Sequence, residues 1–209
     1  AGLEVCVVER GETSGAKNVG GLLYGTVLNE LIPEFYRHAP IERPVSRRAI
    51  YYLGREKSAG MEFGCADWSR EPYNQSFIVF RSQFDRWLAT QAEEAGASLL
   101  EGMVVDDLVY EGQGDAKKVV GVKIRGDEIF YADVVILAEG ANCLVTEKAI
   151  RELGLPKGKR EQEFALGVKK IIGLPRATLQ DRFQLDDGEG VAMDFFGAPW
   201  PSDQRLAAD

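Results

Sequence analysis

Histidine and cysteine are scarce in this chain of 209 residues, which contains 1 His and 3 Cys. The cysteines, Cys6, Cys65 and Cys143, are far apart, and none lies in a C-x-x-C pair. Neither a disulfide framework nor a structural zinc site is therefore predicted. A catalytic triad or multi-histidine metal centre would have to form around His38 alone, so we predict no metal site. Three reduced thiols are typical of a cytosolic protein.

Long apolar runs are also absent, since no stretch approaches the ~20 residues that a membrane-spanning helix needs. No signal peptide is recognisable, because the first residues lead straight into a predicted strand. Basic residues number 25 against 33 acidic ones, a net charge of −8, whereas a nucleic-acid-binding protein needs a basic face. We predict a cytoplasmic protein that binds no nucleic acid. Peripheral contact with the inner face of a membrane stays an open alternative.

Two runs of apolar residues predict buried strands of a parallel sheet. LEVCVV at residues 3–8 and DVVILA at residues 133–138 are nearly continuous, as strands covered on both faces are. Because a parallel partner requires a crossover connection, we expect a strand and a helix ahead of residue 1. An antiparallel region between the two runs indicates an α/β fold. The prediction is a partial Rossmann-like domain with a β-meander and part of a second sheet.

The rest of the pattern predicts one long helix and several shorter elements. Apolar residues at helical spacing between Ser82 and Ala95, followed by Gly96, predict the helix. Short polar connections predict meander strands at 104–110, 118–125 and 128–131. Other strands are predicted at 49–53, 61–63, 76–80 and from Glu163, other helices at 26–35 and 145–153, and loops at 11–25 and 36–48.

Acidic residues stand at the ends of both buried strands. Glu9 follows the first run and Glu139 the second, and a glycine comes soon after each. In nucleotide-binding α/β folds, ligands lie outside the carboxyl ends of the strands, where a carboxylate accepts hydrogen bonds from a ribose diol. A strand-end glutamate is more often simply solvated, and the chain contains no G-x-G-x-x-G motif. Two such acids are nevertheless more informative than one.

A glycine-rich loop and an arginine accompany these acids. Residues 11–25 read GETSGAKNVGGLLYG, whose glycines permit close backbone approach to a ligand, and Lys17 adds a positive charge. Arg81 opens the predicted long helix, where backbone N–H groups already favour an anion. A flexible surface loop and an ordinary surface arginine are the competing interpretations.

Four segments in combination resemble a known family. VVERGETSGAKNVGGLLYG resembles the glycine-rich segment of FixC-type flavoproteins, which are similar to electron-transfer-flavoprotein:quinone oxidoreductases and belong with the geranylgeranyl-reductase group of FAD enzymes. RSQFDRWLATQAEEAGA resembles that group's R-x-x-F-D-x-x-L-x-x-x-A-x-x-x-G-A helix, and DVVILAEGANCLVTEKA its A-[DE]-G-A-x-S turn. EGVAMDFFG resembles a later FixC-type segment. The resemblance covers most of residues 3–197, and the combination is specific although each segment alone is not.

The resemblance implies FAD as cofactor and assigns residues to its nucleotide end. Glu9 would bind the adenosine ribose, and Arg10 and Gly11 would line the same turn. The backbone of Val104 or Val105 would contact adenine.

Other residues are implied at the phosphates and the flavin. Arg81 would contact the ribityl–pyrophosphate portion, and Glu139 and Gly140 would lie near the pyrophosphate or ribitol. Cys143 stands where the family often has serine, so a hydroxyl role there is not carried over. The glycine-rich loop would approach the flavin end or the pyrophosphate through Gly15, Lys17, Asn18, Gly20 and Gly21.

The family's domains, carried over, divide the chain into four segments. Residues 1–48 would form part of the FAD-binding domain, residues 49–75 inserted substrate-side strands, and residues 76–155 the continuation of the FAD-binding domain. Residues 156–209 would begin the substrate domain. The family's first strand with its G-x-G-x-x-G loop, its later G-D motif and the Cys-rich iron–sulfur region are not in these residues. We therefore expect this chain alone to bind FAD weakly or not at all.

The implied activity is electron transfer, in which the flavin does the chemistry and no side chain of this chain acts as acid or base. The donor would be an electron-transfer flavoprotein or a ferredoxin-like protein. The acceptor would be a quinone or an isoprenoid-like molecule. A geranylgeranyl-reductase-like or hydroxylase-like flavoenzyme would use the same fold. A redox-inert fragment or interaction module is the alternative outside enzymes.

Overall fold

The chain folds into two units, and each draws on two stretches of sequence. In the computed structural model, residues 1–16 and 89–168 form unit 1, and residues 17–88 and 169–209 form unit 2. The structure describes residues 2–16, 19–73, 75–156 and 167–197. The predicted division into four segments is a different partition and stays a prediction.

Ten strands and four α-helices lie along the described residues. The strands are β1 (Val5–Val8), β2 (Gly21–Tyr24), β3 (Ile41–Leu53), β4 (Ser58–Gly64), β5 (Ser76–Val79), β6 (Ala97–Leu100), β7 (Val105–Glu111), β8 (Lys118–Ile124), β9 (Ile129–Tyr131) and β10 (Gly190–Gly197). The α-helices are α1 (Thr26–Leu31), α2 (Arg81–Glu94), α3 (Leu144–Glu152) and α4 (Arg176–Phe183). The α/β class is confirmed, and the long helix and the three meander strands are confirmed to within one residue at each end.

Unit 1 contains a parallel strand pair and the antiparallel meander. β1 pairs with β6 in parallel, with Val5 opposite Ala97, and β7, β8 and β9 form a three-stranded antiparallel sheet. Its core is formed by Leu108, Val145 and Ala149, so α3 packs against the meander. Burial of this apolar surface holds the helix in place.

The buried strand predicted at residues 133–138 is wrong, because these residues form no strand in the structure. Val135 and Leu137 pack against the core of unit 1, whereas Val134 and Ile136 are 76% and 85% exposed. A strand requires a hydrogen-bonded neighbour, and none of the described strands pairs with this run. The side chains therefore alternate between core and solvent without a ladder.

Unit 2 contains a five-stranded sheet in the order β10–β3–β5–β2, with β4 also paired to β3. β3 runs antiparallel to β4 and β5 and parallel to β10. The predicted loop at residues 36–48 is therefore wrong over residues 41–48, and the predicted loop at residues 11–25 contains β2. Of the strand predicted from Glu163, residues 163–166 lie outside the described residues, and residues 167–174 have no regular structure.

An aromatic cluster forms the core of unit 2. Phe35 and Phe77 are fully buried and meet edge to face with ring centroids 5.2 Å apart. Tyr36 stacks on Phe77 at 5.9 Å, and Phe84 from α2 joins the cluster. This packing places the start of α2, and with it Arg81, beside the end of β5.

Candidate functional site

Glu9 lies in a turn that its own side chain closes. Its backbone N–H extends the parallel ladder by donating to Leu100 O at 2.9 Å. Its half-buried carboxylate accepts a hydrogen bond from the N–H of Gly11. A Cβ at Gly11 would lie 2.9 Å from Glu9 Oε1, so a larger residue would disturb the turn. The strand-end acid predicted from sequence is therefore oriented by its surroundings.

A second segment of unit 1 lies against this turn. Gly102 N–H donates to Gly11 O at 2.8 Å, and Met103 N–H donates to Glu9 O at 3.0 Å. Val104 follows directly, and its carbonyl accepts a hydrogen bond from the backbone N–H of Arg125 at 2.9 Å. A carbonyl oxygen has two lone pairs, so this one retains capacity for a further donor.

The structure thus brings together residues that are about 90 positions apart in sequence. Glu9, Gly11 and Val104 lie around one turn, Arg10 is exposed within it, and Val105 begins β7. These are the five residues predicted for the nucleotide end of FAD.

The glycine-rich loop is fixed by a contact that the sequence did not reveal. Ser14 donates to Glu101 Oε1 twice, from its backbone N–H at 2.6 Å and from its hydroxyl at 2.7 Å. Gly15 follows with φ +80°, a left-handed conformation that suits glycine. Lys17 and Asn18, also predicted for the site, lie outside the described residues.

Glu139 occupies the N-terminus of α3. Its carboxylate accepts hydrogen bonds from Val145 N–H at 2.8 Å, Thr146 N–H at 2.7 Å and Thr146 Oγ1 at 2.7 Å. Partial burial alone would raise the pKa of this carboxyl, but the three hydrogen bonds together outweigh it and lower the pKa below its ordinary value. Glu139 therefore satisfies backbone donors that would otherwise lack partners.

We expect substitution of Glu139 by glutamine to destabilise α3. We also expect the free energy of unfolding to fall less steeply as the pH is lowered. The pKa of Glu139 is lowered in the folded state, so its ionised carboxylate contributes to the free energy of unfolding. This contribution is complete above the unfolded-state pKa of about 4.5 and is lost as the pH falls through the folded-state pKa. The loss at pH 7 should be about 1 kcal/mol, as for other capping residues. Urea unfolding of both proteins between pH 3 and 7 measures it.

Glu128→Gln is the matched control, because Glu128 is an exposed glutamate of the same unit. It should leave the pH profile unchanged. Equal profiles for Glu139→Gln and the unaltered protein would contradict the capping role.

In unit 2, Gly20 lies where a side chain cannot fit. A Cβ at this position would be 2.6 Å from the carbonyl oxygen of Val79, a backbone atom that cannot move independently. Gly21 opens β2 opposite Val79. Gly20, one of the two glycines predicted from sequence, is thus required by close backbone packing in the fold itself.

Arg81 is the first residue of α2 and forms a bidentate pair with Asp85, with Nε at 2.5 Å and Nη2 at 2.8 Å. This hydrogen bonding raises the pKa of the guanidinium above its already high ordinary value. The Arg81 backbone N–H donates to Val19 O at 3.3 Å. Arg81 is therefore held at the helix terminus with its charge partly balanced.

Gly140 is the last of the predicted site residues, and Cys143 follows it in the same turn. Gly140 is exposed with φ +72°, and its carbonyl accepts a hydrogen bond from Cys143 Sγ at 3.0 Å. Cys143 itself is left-handed at φ 47°. The turn before α3 is consequently a tight one, made without the serine that the family often has.

Within each unit, the chemistry of the residues fits parts of FAD. In unit 1, an oriented carboxylate beside a backbone turn suits a ribose diol. In unit 2, a glycine that admits no side chain lies beside a helix N-terminus with an arginine.

Of the helices in the described part of the chain, none is both long enough and apolar enough to cross a bilayer.

Comparison with known proteins gives the following similarities, and no protein-family model matches the chain. Protein FixC of Escherichia coli K12 is 43% identical over 199 residues, covering 95% of this chain and 44% of FixC. YdiS of Escherichia coli K12, named a probable electron transfer flavoprotein-quinone oxidoreductase, is 42% identical over 200 residues, covering 95% of this chain and 44% of YdiS. The chain thus spans less than half the length of these curated relatives.

Among solved structures, a geranylgeranyl bacteriochlorophyll reductase-like protein from Thermoplasma acidophilum is similar. It is 25% identical with a TM-score of 0.56, and the match covers 71% of this chain and 36% of that one.

Proposed function

This chain belongs to the FixC-type family along 95% of its length, and from that premise we propose that the whole protein is an FAD-dependent oxidoreductase that transfers electrons. The observation that carries the proposal is the Glu9 turn. A half-buried carboxylate stands at the carboxyl end of a parallel strand, and backbone from residues 102–104 lies against it. This is the place and the chemistry that a nucleotide ribose requires.

The proposed contacts with FAD are those that the family resemblance implies. Glu9 accepts hydrogen bonds from the adenosine ribose, and the backbone at Val104 or Val105 contacts adenine. Arg81 contributes positive charge to the ribityl–pyrophosphate portion. Bound FAD supplies the redox chemistry, while these residues bind and orient it. The remaining proposed contacts are made by Arg10, Gly11, Gly15, Lys17, Asn18, Gly20, Gly21, Glu139 and Gly140.

An electron-transfer flavoprotein is the proposed donor and a quinone the proposed acceptor. The support is the name of YdiS, a probable electron transfer flavoprotein-quinone oxidoreductase that is 42% identical to this chain. The second candidate is reduction of an isoprenoid double bond, favoured by the structural similarity to a geranylgeranyl bacteriochlorophyll reductase-like protein. The two differ in acceptor, so the acceptor that reoxidises the reduced protein distinguishes them.

The first experiment is a visible absorption spectrum of the purified whole protein after mixing with excess FAD and desalting. We expect a retained flavin band that is bleached by reduced electron-transfer flavoprotein and restored by a quinone analogue. Restoration by a geranylgeranyl compound but not by quinone would select the second candidate. A colourless protein would overturn the proposal.

A further inference from the structure

Lys169 of unit 2 contacts the Gly20–Gly21 pair of the same unit across 149 positions of sequence. Its Nζ donates a hydrogen bond to Gly20 O at 2.7 Å. A Cβ built on Gly21 would lie 3.5 Å from the same Nζ. The ammonium group therefore lies directly beside the Gly20–Gly21 pair.

Apolar packing does not account for this position. Lys169 belongs to residues 167–174, which have no regular structure, and its neighbours Val168, Ile171 and Ile172 are 87%, 57% and 70% exposed. Holding a lysine side chain in one conformation costs rotamer entropy. A hydrogen bond from an ammonium to a carbonyl offsets that cost. The hydrogen bond from Lys169 Nζ to Gly20 O is therefore what holds Lys169 beside the glycine pair.

The ammonium retains capacity for a ligand. Of its three N–H donors, one is used by Gly20 O, and the structure gives Lys169 no other hydrogen bond or ion pair within the described ranges. An exposed positive charge thus lies beside backbone that has no side chains to block approach. The chain as a whole has a net charge of −8, so this local charge is what would attract an anion.

We propose that Lys169 is a cofactor-binding residue whose ammonium, anchored on the Gly20 carbonyl, contacts an anionic group of bound FAD. The inference rests on the proposed function, in which Gly20 and Gly21 approach the flavin end or the pyrophosphate. If the pyrophosphate of FAD lies beside Lys169, the anionic group is a phosphate. If the flavin lies there, the anionic group is the reduced isoalloxazine ring. In both cases the contact is a charge-assisted hydrogen bond.

The test compares Lys169→Met, Lys169→Arg and Lys170→Met in the whole protein. Lys170 is the matched control, because it is the adjacent exposed lysine. Among the described residues, the structure gives it no hydrogen bond to Gly20 or Gly21. The two readouts are the dissociation constant for FAD, by fluorescence titration, and the flavin midpoint potential, by spectroscopic reductive titration. Thermal unfolding without FAD checks that each variant is folded.

For a phosphate contact, Lys169→Met should weaken FAD binding at least about tenfold with an unchanged midpoint potential, since hydrogen bonds to charged groups contribute that much. For a contact with the reduced ring, it should lower the midpoint potential. In both cases Lys169→Arg should keep most of the FAD affinity and midpoint potential of the unaltered protein. Lys170→Met should behave as the unaltered protein.

If Lys169→Met matches Lys170→Met in both readouts while all variants bind FAD, the lysine proposal is wrong and the proposed function stands. If the unaltered protein binds no FAD, the proposed function fails, and the lysine proposal fails with it.

Discussion

Replacing Glu9 with alanine should weaken the binding of FAD to the whole protein at least about a hundredfold. Two hydrogen bonds from a ribose diol to a carboxylate would be lost, and each such bond contributes roughly 1.5–3 kcal/mol. The carboxylate also accepts the N–H of Gly11, so the turn that presents it would relax. Fluorescence titration with FAD measures the affinity.

Two further variants separate these contributions. Glu9→Gln keeps an acceptor for Gly11 while removing the charge, so its affinity should fall between those of the unaltered protein and Glu9→Ala. Glu12→Gln removes a charge from an exposed residue of the same loop and should bind FAD normally. Unchanged affinity in Glu9→Ala would remove this residue from the cofactor site.

Replacing Phe77 with alanine should lower the free energy of unfolding by about 3–5 kcal/mol, the range for buried aromatic residues. Phe77 is 0% exposed and contacts Phe35, Tyr36 and Tyr73 through its ring, so the surroundings cannot readily close the cavity. Trp87 packs against the same cluster, so its fluorescence during urea unfolding reports the transition.

Phe196→Ala is the control for this substitution. Phe196 lies on β10 of the same unit and is 52% exposed, so its removal should cost less than about 1 kcal/mol. Similar losses from the two substitutions would mean that the aromatic cluster does not dominate the stability of unit 2.

Elements with local signals could be predicted from the sequence. The helix α2 was predicted because its apolar residues recur at helical spacing and Gly96 follows it. The meander was predicted because short polar turns connect its strands, so each strand finds its partner nearby in sequence.

Elements that depend on distant partners could not be predicted. The first part of β3 carries Pro44 and several charged residues and reads as a loop, yet β10 and β5 pair with it from elsewhere in the chain. Conversely, the apolar run at residues 133–138 reads as a strand, but a hydrophobic run without a hydrogen-bonded neighbour does not become one.

The candidate site shows the same division. Glu9 and Glu139 can be singled out because each ends an apolar run and is followed closely by a glycine, a pattern that is visible in the sequence. The partners of the site were not visible, since Ser14 bonds to Glu101 and Lys169 to Gly20 across long stretches of chain. The role of Glu139 as a helix cap also needed the structure, because it accepts hydrogen bonds from residues six and seven positions later.

The pairing of β1 with β6 has a consequence for synthesis on the ribosome. Val5 lies opposite Ala97, so β1 leaves the ribosome roughly 90 residues before its partner. At a translation rate of about 5–20 residues per second, the wait is roughly 5–20 seconds. During it, Cys6 and its valine neighbours lack the backbone hydrogen bonds that β6 provides. We therefore expect β1 to be open to chaperone binding on the nascent chain until β6 is made.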